Sequence, residues 1–109
     1  MVTLNQRRRE AVFRVIADPT RRKILGLLRG RAHTVNEIAG NFRSSRPAIS
    51  KHLRLLRSVG LVETKREGTA RICRLNAAPL QVVDAWLQDY QQFWRESLRG
   101  LKRYVEDAR

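Results

Sequence analysis

Residues 45–62 read SRPAISKHLRLLRSVGLV, and the fold turns on how they are read. The stretch holds Arg46, Lys51, Arg54 and Arg57, with His52 and no acidic residue. Ser45 can cap a helix by accepting a backbone N–H, and Pro47 falls in the first turn, where its missing N–H leaves no bond unmade. Gly60 is a natural stop. On a wheel of about 100° per residue, Ala48, Ile49, Leu53, Leu55, Leu56 and Val59 share one half with His52. Arg46, Pro47, Ser50, Lys51, Arg54, Arg57 and Ser58 share the other. Such a helix packs one half on a domain and keeps the other bare and cationic. His52, on the apolar half, reads as a partly buried structural histidine.

Upstream, residues 5–17 predict a first helix with Val12, Phe13 and Ile16 on one side. Asp18-Pro19 then predicts a new N-cap and first turn. The second helix runs to Arg29 with Ile24, Leu25, Leu27 and Leu28 on its apolar face, and Gly30 is expected to stop it. Thr34-Val35-Asn36-Glu37 has the spacing of a capping box, which opens a short helix to about Asn41. Arg43-Ser44-Ser45 is a polar turn. Downstream, residues 61–66 and 70–75 alternate with a period of two and predict two strands, with Glu67-Gly68-Thr69 as the tip. Pro79 is expected to open a long helix to about Glu106. The order is helix-helix-helix-helix-β-β-helix: mainly α with a β-hairpin wing, a winged helix-turn-helix. It is expected to form a single domain over residues 1–109.

Charge says what the bare face meets. The chain has 109 residues, 23 Lys and Arg against 10 Asp and Glu, and a net charge of +13. Residues 1–58 carry 14 basic and 3 acidic side chains, while residues 59–109 carry 9 and 7. A half-chain at +11 points to a polyanion. A major groove admits an α-helix, and its guanine edges suit Arg and Lys. In a helix-turn-helix the N-terminal part of the second helix reads base edges. That selects Ser45, Arg46, Pro47, Ser50 and Lys51 for bases or flanking phosphates, with Thr34 at the start of the preceding helix. Arg54 and Arg57, deeper along the helix, suit phosphates. Lys65, Arg66 and Arg71 beside Gly68 could carry the wing to a minor groove or its phosphates. The run Arg7-Arg8-Arg9 fits phosphate contact and plain solvation equally.

The last helix has a different character. Leu80, Val83, Leu87, Tyr90, Trp94, Ser97, Leu101 and Tyr104 are spaced 3, 4, 3, 4, 3, 4, 3, an a/d seam of about three heptads. Trp86, Phe93, Leu98 and Val105 widen it. One small domain has too little surface to cover seam and flank, so a second copy is the expected partner. Both Trp and both Tyr residues lie here, as in interfaces anchored by aromatics. Residues 1–17 and 78–107 are the expected dimerisation helices, with Val12 joining the seam.

The stretches ADPTRRKILGLL, TVNEIAGNF and SRPAISKHLRLLRSVGLVETKREGTARICRLN together resemble the ArsR-type family of winged-helix repressors. The tail WLQDYQQFWRESLRGLKRYVE is similar to a branch with an aromatic C-terminal helix. The resemblance covers about Arg9 to Glu106. It implies a homodimeric repressor on an inverted-repeat operator of double-stranded DNA, with Arg46, Ser50 and Lys51 on the recognition helix. It also implies dimerisation through the first and last helices. Metal-sensing members carry Cys-x-Cys in the third helix or Asp and His pairs on the last. Here the third helix has no thiol, and the last has Asp84 and Asp89 without His.

No metal or other cofactor is therefore expected. His33, His52 and Cys73 are read as spread over a turn region, the recognition helix and a strand. Transition-metal sites need several such ligands together. No nucleophile–base pair or phosphate loop marks an enzyme. RNA readout would favour exposed stacking aromatics, but the aromatics cluster on the seam. A non-specific DNA-coating protein shares the basic surface and needs no palindrome. A lone cysteine, no secretory h-region and no apolar run of about 20 residues lead to an expected cytoplasmic location. A small-molecule or protein effector is left open.

Overall fold

The structure, a computed structural model, describes residues 3–108. Five α-helices and three strands follow in the order α1 (Leu4–Ile16), α2 (Pro19–Gly30), β1 (His33–Thr34), α3 (Val35–Gly40), α4 (Arg46–Ser58), β2 (Val62–Glu67), β3 (Ala70–Leu75), a 3₁₀ turn (Ala78–Leu80) and α5 (Gln81–Asp107). This is a winged helix-turn-helix, mainly α.

Local chemistry sets the boundaries. Thr3 caps α1 in a capping box with Gln6 that the sequence reading missed. Asp18 caps α2 by accepting the Arg21 N–H at 3.0 Å, with Pro19 at the first position. Thr34 and Glu37 form the expected box at α3. Ser45 caps α4, accepting from the Ala48 N–H at 3.3 Å. At the far end of α4, the N–H of Gly60 donates to Arg57 C=O and that of Leu61 to Leu56 C=O, both at 3.0 Å. With Gly60 at φ +80° this is a Schellman stop, and Leu56 and Leu61 are both fully buried beside it.

Four expectations need correction. Gly30 does not stop α2 but is its last helical residue; Arg31, in extended backbone, is the cap. The wing turn is two residues, Gly68-Thr69, because Glu67 pairs with Ala70. A positive φ at Gly68 and not at Thr69 fits a type II′ turn, whose twist matches the strands. Pro79 sits in the 3₁₀ turn, and α5 opens two residues later. The sheet has three strands, not two, in the order β1-β3-β2, all antiparallel. Its third strand is only His33-Thr34, too short for any periodicity to show.

The core lies between α2, α3, α4 and the inner sheet face. Ile24, Ile38, Ile49, Leu56 and Leu61 are fully buried in it, as is Cys73. The β2–β3 register pairs Val62 with Leu75, Thr64 with Cys73 and Arg66 with Arg71. Strand alternation puts these three pairs on one face. That face is apolar and buried at its base and carries two exposed arginines at its tip.

Candidate nucleic-acid interface

The wheel drawn from the sequence describes α4 well. Ile49, Leu53 and Leu56 are buried, Ala48, His52, Leu55 and Val59 are half-buried, and Arg46, Pro47, Lys51, Arg54 and Arg57 are exposed. The buried stripe locks the helix onto α2 and α3, so its cationic face cannot turn inward.

That face forms one wall of a groove of about 440 Å³. The start of α3 and the wing turn form the others. The groove brings together Thr34, Arg46, Ser50, Arg54, Arg57 and Arg71 from three elements. It adds Asn36 and Thr69, which the sequence reading missed. Their signal was position alone, one just inside the α3 cap and one in the wing turn. Ser45, Pro47 and Lys51 do not line this groove but are exposed on the first turns of α4. Arg66 lies in a neighbouring hollow of about 410 Å³ with Arg57, Thr64 and Arg71. There the Arg57 guanidinium donates to the Thr64 hydroxyl at 3.5 Å, tying α4 to the wing.

The ion pairs among the described residues are Arg31–Glu37 at 3.0 Å and Lys102–Glu106 at 3.9 Å, with His52 Nδ1 3.8 Å from Asp18 Oδ2, a pair that is ionic only when the imidazole is protonated. None of them uses a cation of the groove or the wing. Glu37, one residue beyond groove-lining Asn36, is already engaged. The Thr34 N–H, then the Arg31 guanidinium, hold its carboxyl below the usual range. Thr34 Oγ1 accepts the Glu37 N–H at 3.1 Å, which fixes the hydroxyl at the groove edge. The site is thus a concave, acid-free array of guanidinium and hydroxyl donors. Its chemistry suits phosphates and base-edge acceptors.

Cys73 and His33 depart from expectation. They are not apart: the β1–β3 register sets them opposite each other. Both are buried, and His33 Nδ1 lies 2.9 Å from the Arg31 carbonyl oxygen. Burial pushes the Cys73 thiol up, so the neutral form is favoured. His52 is half-buried behind α4, as expected. Val12 is only 4% exposed, so it packs within its own chain and has little area left for a second copy.

Comparison with known proteins places this geometry. A family model described as "Bacterial regulatory protein, arsR family" matches residues 18–64. The chain is 40% identical over 79 residues to the transcriptional repressor SdpR of Bacillus subtilis (strain 168), covering 72% of this chain and 88% of that one. It is 31% identical over 97 residues to the HTH-type transcriptional regulator Rv2034 of Mycobacterium tuberculosis, covering 89% and 88%. A crystal structure of an ArsR family transcriptional regulator superposes with a TM-score of 0.74 at 34% identity, covering 87% of this chain and 97% of that one. A helix-turn-helix with an acid-free groove, in a chain so similar to transcriptional regulators, is a DNA-binding regulator and not an enzyme: the chain belongs to the arsR family of bacterial regulatory proteins.

Proposed function

We propose that the protein is a sequence-specific repressor that binds an inverted-repeat operator as a homodimer. One observation carries the reading: eight donor side chains from the start of α3, from α4 and from the wing converge on a single acid-free groove. Arg46 and Ser50 read base edges, joined by Lys51, Ser45 and Pro47 at the front of the helix. Thr34, Arg54, Arg57, Arg66 and Arg71 hold phosphates. SdpR, which shares 40% identity, is named a repressor, and this favours repression over activation.

Dimerisation rests on α5. Trp86, Tyr90, Phe93, Trp94, Leu101 and Tyr104 are 43–75% exposed in the single chain. An apolar face of this size on a soluble chain marks an interaction site. A second copy covers it, with residues 78–107 as the main contact and residues 1–17 in support. Leu80, Val83 and Leu87, half-buried at the root of α5, continue the same seam. A twofold pair displays two recognition helices to two half-sites. The reading includes a cytoplasmic location and no metal or cofactor; among the described residues no helix is long and apolar enough to cross a membrane.

Selection of bound sequences from a random DNA pool tests the proposal. An inverted repeat, bound much more tightly than a scrambled duplex at physiological salt, is the expected result. Equal affinity for both would instead make the protein a non-specific DNA-coating factor.

A further inference from the structure

Behind the recognition helix, away from the groove, three elements meet at one guanidinium. Arg21 of α2 donates from Nε to the carbonyl of Val15 in the last turn of α1. Its Nη1 lies 3.2 Å from Nδ1 of His52, on α4. Its own N–H donates to the Asp18 carboxylate at 3.0 Å. Asp18 Oδ2 in turn lies 3.8 Å from His52 Nδ1. Arg22, next along, is turned away onto the carbonyls of Ile16 and Ala17. The charged groups at the His52 ring are therefore Arg21 and Asp18, while α1 presents a carbonyl.

A guanidinium only donates, so the Arg21 contact is a hydrogen bond only when His52 Nδ1 accepts, with the ring proton on Nε2. Protonation at Nδ1 removes that acceptor and sets two cations side by side. It also creates a donor facing the carboxylate. Asp18 is ready to receive it, because the Arg21 N–H, followed by the charge of the Arg21 guanidinium, holds its carboxyl below the usual range. The ring thus has two partners and one proton to choose between them.

We infer that Arg21 is a positioning residue for DNA recognition, that it sets the rotation of α4 against α1 through neutral His52, and that a protonated His52 misplaces the reading face. The inference rests on the operator reading above. His52 directly follows Lys51 and lies two residues after Ser50. Base-edge contacts demand placement within about 0.5 Å, so a small rotation of α4 costs specificity before it costs affinity. A charge on His52 would raise attraction for any duplex, which makes the ratio of operator to scrambled affinity the quantity to follow.

The test measures that ratio from about pH 8 to about pH 5.5, the span over which imidazole ordinarily titrates. Wild-type protein is expected to lose roughly 5- to 100-fold in the ratio on acidification, the worth of one base contact. His52→Asn puts an amide oxygen near the place of Nδ1, keeps the acceptor and cannot titrate there. It should match wild type at the high end and stay flat. His33 is unchanged in this variant and serves as the internal reference. Arg21→Lys, with no fork to span Val15 and His52, should lower the ratio at every pH while the dimer and its circular dichroism are preserved. If His52→Asn follows the same pH curve as wild type, the inference is wrong, whatever Arg21→Lys does. If wild type discriminates equally well at both ends of the range, it is also wrong, and the operator reading survives. If wild type discriminates at no pH, the operator reading fails and this inference with it.

Discussion

At the scale of the residue, the eight groove-lining donor side chains are not equivalent. Arg46 stands on the first turn of α4, where a guanidinium can reach guanine bidentately. Arg46→Ala should cost about 1–3 kcal/mol on the operator and relax preference at one base position. Arg71, at the wing tip, should on truncation weaken all duplexes evenly. Titrations against operator and single-base variants separate the two patterns. Gly60 makes a different kind of prediction. Its φ is +80°, and a Cβ there would sit 3.5 Å from Pro79 Cγ, ordinary contact. The cost of Gly60→Ala is therefore conformational, about 1–2 kcal/mol. Urea unfolding should show a lower midpoint with an unchanged slope. A loss much above this would mean that the Leu61–Leu56 bond of the stop has gone as well.

At the scale of the element, α4 and α5 are both amphipathic, and their apolar faces have opposite fates. The face of α4 is consumed by the core, with Ile49 and Leu56 at 0% exposure. The face of α5 is used only at its root, where Trp86 packs edge-on against Phe13 of α1 with ring centroids 5.8 Å apart. Trp86 also meets Tyr90 at 5.2 Å, so Phe13, Trp86 and Tyr90 support one another within the single chain. Side chains already held in this way, Trp86 and Tyr90, lose little freedom on binding. Trp94, half-exposed in mid-helix, is the expected anchor. Trp94→Ala should cost several kcal/mol of dimer stability, as buried Trp anchors do. Sedimentation at micromolar concentration should then show monomer, with operator affinity falling alongside. A variant that remains dimeric would move the anchor elsewhere on α5.

At the scale of the whole molecule, the shape follows from α5. The Cα radius of gyration is 18.8 Å, with extents of 63 × 43 × 22 Å. A compact chain of this length would give about 13 Å. A helix of 27 residues is about 40 Å long, and most of it projects past the body that holds the core. The proposed dimer joins two such bodies through their projections. If it contacts about 6–10 phosphates, raising salt from about 50 to 200 mM should weaken binding by roughly 10³–10⁵-fold. A shallow salt slope would put few groove cations on phosphates. Metal should not release the DNA. His33 and Cys73 are neighbours, but among the described residues no group of three His, Cys, Asp or Glu could hold an ion. Zinc, copper and arsenite titrated against the DNA complex should leave it intact, with no stoichiometric metal on the purified protein. Metal-dependent release would overturn this.

Residues 45–62 alone determined the recognition helix, its cap, its stop and which face is bare, because those are local matters of period, capping and charge. Asp18-Pro19 and Thr34–Glu37 located two further helix starts for the same reason. The seam on α5 was legible from spacing, as was the wing from its alternation. Tertiary structure decided the rest. His33-Thr34 becomes a strand only because β3 lies beside it with free hydrogen-bonding groups. Asn36 and Thr69 join the groove only because α3 and the wing turn are folded toward α4. Val12 looked like seam and is core, since α1 turns that side inward. The Arg21–His52 contact spans 31 residues. No periodicity reaches so far, and only packing α1, α2 and α4 at one corner could bring that guanidinium to that ring.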